Sequence, residues 1–230
     1  MSSPLIKCCG ITNTEHGKYA LTRGADALGL VFVNTSSRHV SLEQAKNITT
    51  EVLPLGKQVV GVFADMPVEQ VAKTVQQVGL TGIQLHGKET VEYCIRLKEL
   101  VAQETAGPWP FLTKAFSMRN SSSFNSILKY HAHVDAILLD TYSASALGGT
   151  GSTFDWGLAC QYVKHWPRQP LIIAGGLNSN NVTSLLSQIT PLGVDVSSGI
   201  ETAPGIKDKT KIDSFIKAVK GKRFNERSGI

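Results

Sequence analysis

The chain has 230 residues, 42% of them hydrophobic and 18% charged, with a formal net charge of +5. That balance excludes a disordered chain, and no apolar run approaches the roughly 20 residues that a membrane span needs. Cys8, Cys9, Cys94 and Cys160 form no C-x-x-C pair and no zinc spacing, which excludes a disulfide framework and points to free thiols in a reducing cytosol. Met1-Ser2-Ser3-Pro4 lacks the basic and apolar order of a signal peptide, so a cytoplasmic protein is expected. The basic residues are scattered apart from Lys220-Gly221-Lys222-Arg223, which reads as a solvated tail. With no recognition motif, neither nucleic acid nor membrane is an expected partner.

Short apolar runs alternate with helix-period segments along the whole chain. Candidate strands are Leu5–Cys9, Ala27–Phe32, Gln58–Phe63, Gly82–His86, Phe111–Phe116, Ala136–Asp140, Leu171–Ala174 and Gly193–Val196. They are rich in Val, Ile and Leu and mostly continuous, as strands covered on both faces should be. Helical spacing appears at Val68, Val71, Ala72, Val75 and Val78. It recurs at Phe124, Ile127, Leu128 and His131, at Val182, Leu185, Leu186 and Ile189, and at Ile212, Phe215, Ile216 and Val219. Thr12 with Glu15 and Ser41 with Gln44 read as capping boxes. Pro67 suits a first helical position, and Asp155 and Ser179 suit N-caps. Residues 102–110 read as a lengthened loop.

A short pattern recurs near Gly24, Gly79, His133 and Gly193, about 55 residues apart, which is two strand–helix units. Even repetition favours a closed barrel over an open doubly wound sheet. The expected fold is α/β, a single-domain (β/α)8 TIM barrel of the phosphate-binding type over residues 1–220, with a basic tail over 221–230.

In such a barrel the functional groups sit just after the strands. Polar residues at those places are Cys9, Arg38, His86, Asp140 and Asp195. Glycine-rich loops follow the last three strands: Gly148-Gly149-Thr150-Gly151, Gly175-Gly176 and Ser197-Ser198-Gly199. Backbone N–H groups in such loops cradle a phosphate, and there is no G-x-x-x-x-G-K-[ST]. The expected ligand is therefore a small phosphorylated metabolite.

Alternation along a strand separates the adjacent thiols. Lys7 and Cys9 share the side facing the barrel axis, while Ile6 and Cys8 face the helices, where a cysteine is a small hydrophobe. Asp140 ends the apolar run Ala136-Ile137-Leu138-Leu139 and would be unfavourable there without a partner or a task. His86 ends a strand in the same way.

These residues, with Gly24-Ala25-Asp26-Ala27-Leu28-Gly29, Ser37-Arg38-His39-Val40, Gln84-Leu85-His86-Gly87, Leu138-Leu139-Asp140 and Asp195-Val196-Ser197-Ser198-Gly199-Ile200-Glu201 in order, resemble the phosphoribosylanthranilate isomerase family of tryptophan biosynthesis. The resemblance implies an Amadori rearrangement of an aminoaldose to an aminoketose without metal or cofactor. It implies Cys9 as general base and Asp140 as general acid, for which the Cys9 pKa should be lowered and that of Asp140 raised. It places Arg38 on the anthranilate carboxylate, Asp195 on the anthranilate amine and His86 on the pocket wall. Gly149, Thr150, Gly151, Gly175, Gly176, Ser197, Ser198 and Gly199 would hold the phosphate. The family includes monomers and homodimers. Cys8 departs from it, since an aliphatic residue is usual there.

Two other readings stay open. A differently specific phosphate-binding barrel would need other groups at the strand ends: a lysine and a glutamate for an indole-glycerol-phosphate synthase, or an aspartate in place of Cys9 for the related histidine-pathway aminoaldose. A non-catalytic barrel would bind a phosphorylated ligand without turning it over.

Overall fold

The computed structural model describes residues 3–104, 110–118, 120–141 and 155–221. The apolar runs form eight parallel strands: β1 (Leu5–Cys9), β2 (Ala27–Val31), β3 (Gln58–Phe63), β4 (Gly82–Leu85), β5 (Phe111–Met118), β6 (Ala136–Thr141), β7 (Leu171–Ile173) and β8 (Gly193–Val196). Each pairs with the next, and β8 pairs with β1, so the barrel is closed. The helices between them are α1 (Thr14–Arg23), α2 (Leu42–Val52), α3 (Val68–Val78), α4 (Val91–Glu104), α5 (Ser123–Leu128), α6 (Trp156–His165), α7 (Val182–Gln188) and α8 (Lys209–Lys220). A small antiparallel hairpin, β9 (Glu201–Ala203) and β10 (Ile206–Lys207), follows β8 and was not expected. No helix among the described residues is long and apolar enough to cross a membrane.

The layer between sheet and helices carries most of the core. α3 is typical: Val71, Ala72, Val75 and Val78 are buried, while Val68 is half-covered at the first turn. Burying a valine contributes on the order of 1.5–3 kcal/mol, so such a stripe offsets the cost of ordering the helix. Ile6 and Cys8 belong to this layer, fully buried. Cys9 belongs to a separate inner cluster with Val31 and Val62. The alternation expected for β1 is therefore observed.

Several local expectations are corrected. α1 is capped by Asn13, whose side chain accepts from the His16 N–H, and not by Thr12; the Thr12 hydroxyl instead donates to the Gly205 carbonyl. Pro67 lies just before α3 with ψ 137, outside the helix. Ser179 does not cap α7, which starts at Val182 after a turn held by Asn178 and Asn181. Leu128 is exposed, and His131 lies beyond α5. Residues 102–104 continue α4 rather than open a loop. Lys220 is not part of a free tail, because its Nζ donates to the Gly24 carbonyl and ties α8 to the end of α1. The capping box of Ser41 with Gln44 and the Asp155 cap are present as expected.

The repeat has a structural basis. Asp26, Thr81 and Asp135 stand just before β2, β4 and β6. Their side chains accept from the N–H groups of Ile6, Val59 and Leu112, each the second residue of the preceding strand. The fourth copy is shifted from the expected alignment. Gly193 is the first residue of β8, equivalent to Ala27, Gly82 and Ala136, and Leu192 replaces the polar residue before it.

Candidate active site

The barrel mouth collects side chains from strands far apart in sequence. Lys7 and Asp195 are register partners on β1 and β8, so the sheet itself sets their ion pair, Nζ to Oδ2 at 2.8 Å. Lys7 also donates to Gln84 Oε1 at 2.9 Å from β4. Burial works against the Lys7 charge, but Asp195 and Cys9 outweigh it and hold the ammonium above its ordinary pKa. The other oxygen of Asp195, Oδ1, is buried and has no hydrogen-bond partner among the described residues.

Cys9 ends β1 on the same inward side, buried. Its pKa is raised above the ordinary thiol value, contrary to the expected lowering. Burial is the main cause. Lys7 and Lys207 oppose it, while the Asp195 carboxylate reinforces it. Asp195 offsets part of the Lys7 charge, and burial outweighs what remains. Cys8, on the other face, is pushed up to about 12, again chiefly by burial.

Asp140, at the end of β6, lies 3.2 Å through Oδ2 from His86 Nε2, and its Oδ1 accepts from the Thr141 N–H at 2.7 Å. The partner whose absence would have made a buried aspartate unfavourable is thus His86. Gly175 completes the fit. A Cβ there would come within 2.6 Å of Asp140 Oδ1 and 2.4 Å of the Thr141 nitrogen, and its φ of +82° is a left-handed conformation suited to glycine.

Arg38 reaches the mouth from the loop after β2. Its Nε and Nη2 donate to the two carboxylate oxygens of Glu201 at 2.9 and 2.7 Å, a bidentate pair. Lys207 donates to Glu201 at 2.7 Å and also to the Ser197 carbonyl at 3.2 Å. Gly10 lets Arg38 and Ser197 converge over the end of β1: a Cβ there would meet Arg38 Cδ at 2.5 Å and Ser197 Oγ at 3.1 Å.

The loops after β7 and β8 touch each other, with Gly199 packed on the Leu177 carbonyl. Gly175, Gly176, Ser197, Ser198 and Gly199 are all half-buried, so the pair of loops stays accessible from the mouth. Gly149, Thr150 and Gly151, expected in the same cradle, lie outside the described residues.

Residues that the sequence reading passed over are Gln84, Glu201 and Lys207, together with a buried Lys114–Glu89 pair beside His86. Gln84 and Glu201 stood inside motifs already singled out, but without a role. A lysine two residues from a hairpin turn carries no signal of its own. No group of three or more His, Cys, Asp or Glu that could hold a metal occurs among the described residues.

The family model described as N-(5'phosphoribosyl)anthranilate (PRA) isomerase matches residues 6–218. The N-(5'-phosphoribosyl)anthranilate isomerase of Acaryochloris marina is 39% identical over 220 residues, which cover 93% of this chain and 97% of that one. The crystal structure of the phosphoribosyl anthranilate isomerase of Thermotoga maritima is 37% identical, with a TM-score of 0.83 over 95% of this chain and 99% of that one. A phosphoribosyl anthranilate isomerase solved in complex with reduced 1-(o-carboxyphenylamino)-1-deoxyribulose 5-phosphate is 36% identical, with a TM-score of 0.80 over the same shares. The Thermotoga maritima enzyme has also been solved as monomers generated from the dimer. A closed barrel that carries a thiol on its first strand and an aspartate on its sixth, matched over nearly its whole length by these proteins, belongs to the N-(5'-phosphoribosyl)anthranilate isomerase family.

Proposed function

We propose that Cys9 is the general base and Asp140 the general acid through which this chain performs its family's reaction. That reaction is the Amadori rearrangement of N-(5'-phosphoribosyl)anthranilate to 1-(2-carboxyphenylamino)-1-deoxyribulose 5-phosphate in tryptophan biosynthesis. The observation that carries the assignment is that both groups sit at the inward, mouth end of their strands, each beside a polar partner: Lys7 for Cys9 and His86 for Asp140.

Asp140 gives a proton to the ring oxygen of the ribose as the bond from that oxygen to C1′ breaks. This leaves a Schiff base with a cationic nitrogen. The cation acidifies the proton on C2′, Cys9 takes that proton as a thiolate, and the resulting enolamine tautomerises to the ketone. In the free protein burial works against the Cys9 thiolate that this step uses, while Lys7 and Lys207 favour it. The Schiff-base cation supplies, at the moment of need, the positive charge that Lys7 shares with Asp195.

Glu201 holds the Nε/Nη2 edge of Arg38, so the anthranilate carboxylate meets the remaining Nη1/Nη2 edge. The open Oδ1 of Asp195 accepts from the anthranilate amine. The phosphate lies between the loops of Gly175-Gly176 and Ser197-Ser198-Gly199. A small phosphorylated ligand is supported by the family member solved in complex with reduced 1-(o-carboxyphenylamino)-1-deoxyribulose 5-phosphate. The protein works in the cytoplasm, as a monomer or homodimer.

The test is steady-state turnover of phosphoribosylanthranilate, followed as loss of its fluorescence, alongside the histidine-pathway aminoaldose. Turnover of the first alone is expected. Tight binding without turnover would support a non-catalytic barrel, and turnover of both substrates would overturn the single specificity.

A further inference from the structure

We propose that Lys7 and Gln84 are positioning residues for the acid end of the site. Through a directional chain of hydrogen bonds they fix His86 as the Nε2–H tautomer and so determine which proton faces Asp140. The proposal rests on the reading of Asp140 as the acid.

The chain crosses the barrel interior from β8 to β6. Asp195 and Gln84 both accept from Lys7 Nζ, at 2.8 and 2.9 Å. Gln84 Nε2 is 3.0 Å from His86 Nδ1, and His86 Nε2 is 3.2 Å from Asp140 Oδ2. Gln84 lies on β4 and His86 is the first residue beyond it, and the two-residue spacing turns both to the same side. Lys7, Gln84 and Asp195 are buried, so water does not compete for these contacts.

Each link dictates the next. An ammonium group only donates, so the Gln84 atom facing Lys7 is the carbonyl oxygen. The amide nitrogen then faces His86, and it also only donates, so Nδ1 must accept. A neutral ring with an accepting Nδ1 carries its proton on Nε2, where it points at Asp140. The far oxygen of Asp140 is held by the Thr141 N–H, so the carboxyl plane is set from both sides.

If the Lys7 charge were lost, nothing would prevent the Gln84 amide from turning over. Its oxygen would then face Nδ1, draw the proton there and leave a lone pair on Nε2 facing the Asp140 carboxyl. That lone pair would take the hydrogen bond of the protonated Asp140, so the acid would give its proton to His86 rather than to the ribose ring oxygen. Lys7 thereby acts at both ends of the site, beside Cys9 on its own strand and, through Gln84, on Asp140.

The first experiment needs no variant. Long-range ¹H–¹⁵N correlation spectra of the full chain labelled with ¹⁵N-histidine report which ring nitrogen of His86 carries the proton. A pyrrole-type Nε2 with a pyridine-type Nδ1 is expected; the opposite tautomer would overturn the proposal. The second experiment uses Gln84→Glu, which keeps the shape and the bond to Lys7 but offers Nδ1 an acceptor. Protonation of Nδ1 is expected, with kcat lower by roughly 10-fold to 10²-fold and KM little changed. In an Asp140→Asn background the same substitution should add no further loss. If Gln84→Glu leaves the ring tautomer or kcat as in the unchanged chain, Gln84 is not a positioning residue. Should Gln84→Glu fail to fold, Gln84→Met tests the same link: its Nδ1 has no donor facing it, so a tautomer mixture and a reduced kcat are expected, and an unmixed Nε2–H ring would count against the proposal. If instead Asp140→Asn retains full turnover, the acid assignment fails, while the spectra still report on the chain.

Discussion

The two faces of β1 bury neighbouring thiols in different ways. On the outer face Ile6 and Cys8 join a continuous apolar layer shared with all the helices. On the inner face Cys9 has a small apolar cluster beside it and a run of charged and polar groups next to that: Lys7, Asp195, Gln84, His86 and Asp140. The outer layer is held by many interchangeable contacts, so it tolerates a change that keeps size. The inner face is held by a few directional bonds in low dielectric, where losing one partner strands the next. Apolar packing therefore lies mainly outside the barrel, and the proposed chemistry inside it.

The largest expected contrast is at Asp140. Asp140→Asn keeps the shape and the Thr141 contact but removes the group proposed as the proton donor. kcat should fall by about 10²–10⁴-fold with little change in the thermal midpoint. A parallel loss of fold and activity would blur the division between the faces.

Next is Glu201→Gln. Glu201 carries the charge that holds Arg38 and Lys207, and the two cations hold its own carboxyl below the ordinary range despite its burial. Without that charge the Arg38 fork loosens, and KM for phosphoribosylanthranilate should rise by on the order of 10-fold while kcat changes less. A change in kcat alone would place Glu201 at the reacting atoms rather than behind Arg38.

Much of this was legible in the sequence. β1, β3 and β8 have the expected bounds, since continuous apolar runs between turns leave little latitude. Alternation alone separated Cys8 from Cys9. What was not legible was pairing at distance. Lys7 with Asp195 spans 188 residues and Arg38 with Glu201 spans 163, and neither leaves a mark on local periodicity. The expected lowering of the Cys9 pKa failed chiefly because burial outweighs the nearby cations, and in a smaller part because the distant Asp195 carboxylate opposes Lys7. At Thr12 and Asn13 two good capping residues stood side by side, and only the fold could choose between them.

The smallest effect is on alkaline stability. An ordinary thiol here titrates near 9.0, while burial pushes Cys8 to about 12 and Cys94 to about 11. Above pH 9 the unfolded chain gives up these protons and the folded chain does not. The unfolded state then binds fewer protons, and stability falls as pH rises from about 9 toward 12. Cys8→Ala should flatten that fall in urea melts and, through the lost sulfur contact, cost about 1 kcal/mol at neutral pH. An unchanged slope would mean that Cys8 is not sealed in the outer layer.

The most direct test of the division between the two faces is the turnover of Cys9→Ala and Cys8→Ala, measured side by side on phosphoribosylanthranilate. With Cys9 as the base, Cys9→Ala loses about 10²–10⁴-fold in kcat and keeps its thermal midpoint, while Cys8→Ala keeps its rate and loses a few degrees. Near-normal turnover in Cys9→Ala, or a loss of rate confined to Cys8→Ala, would contradict the assignment.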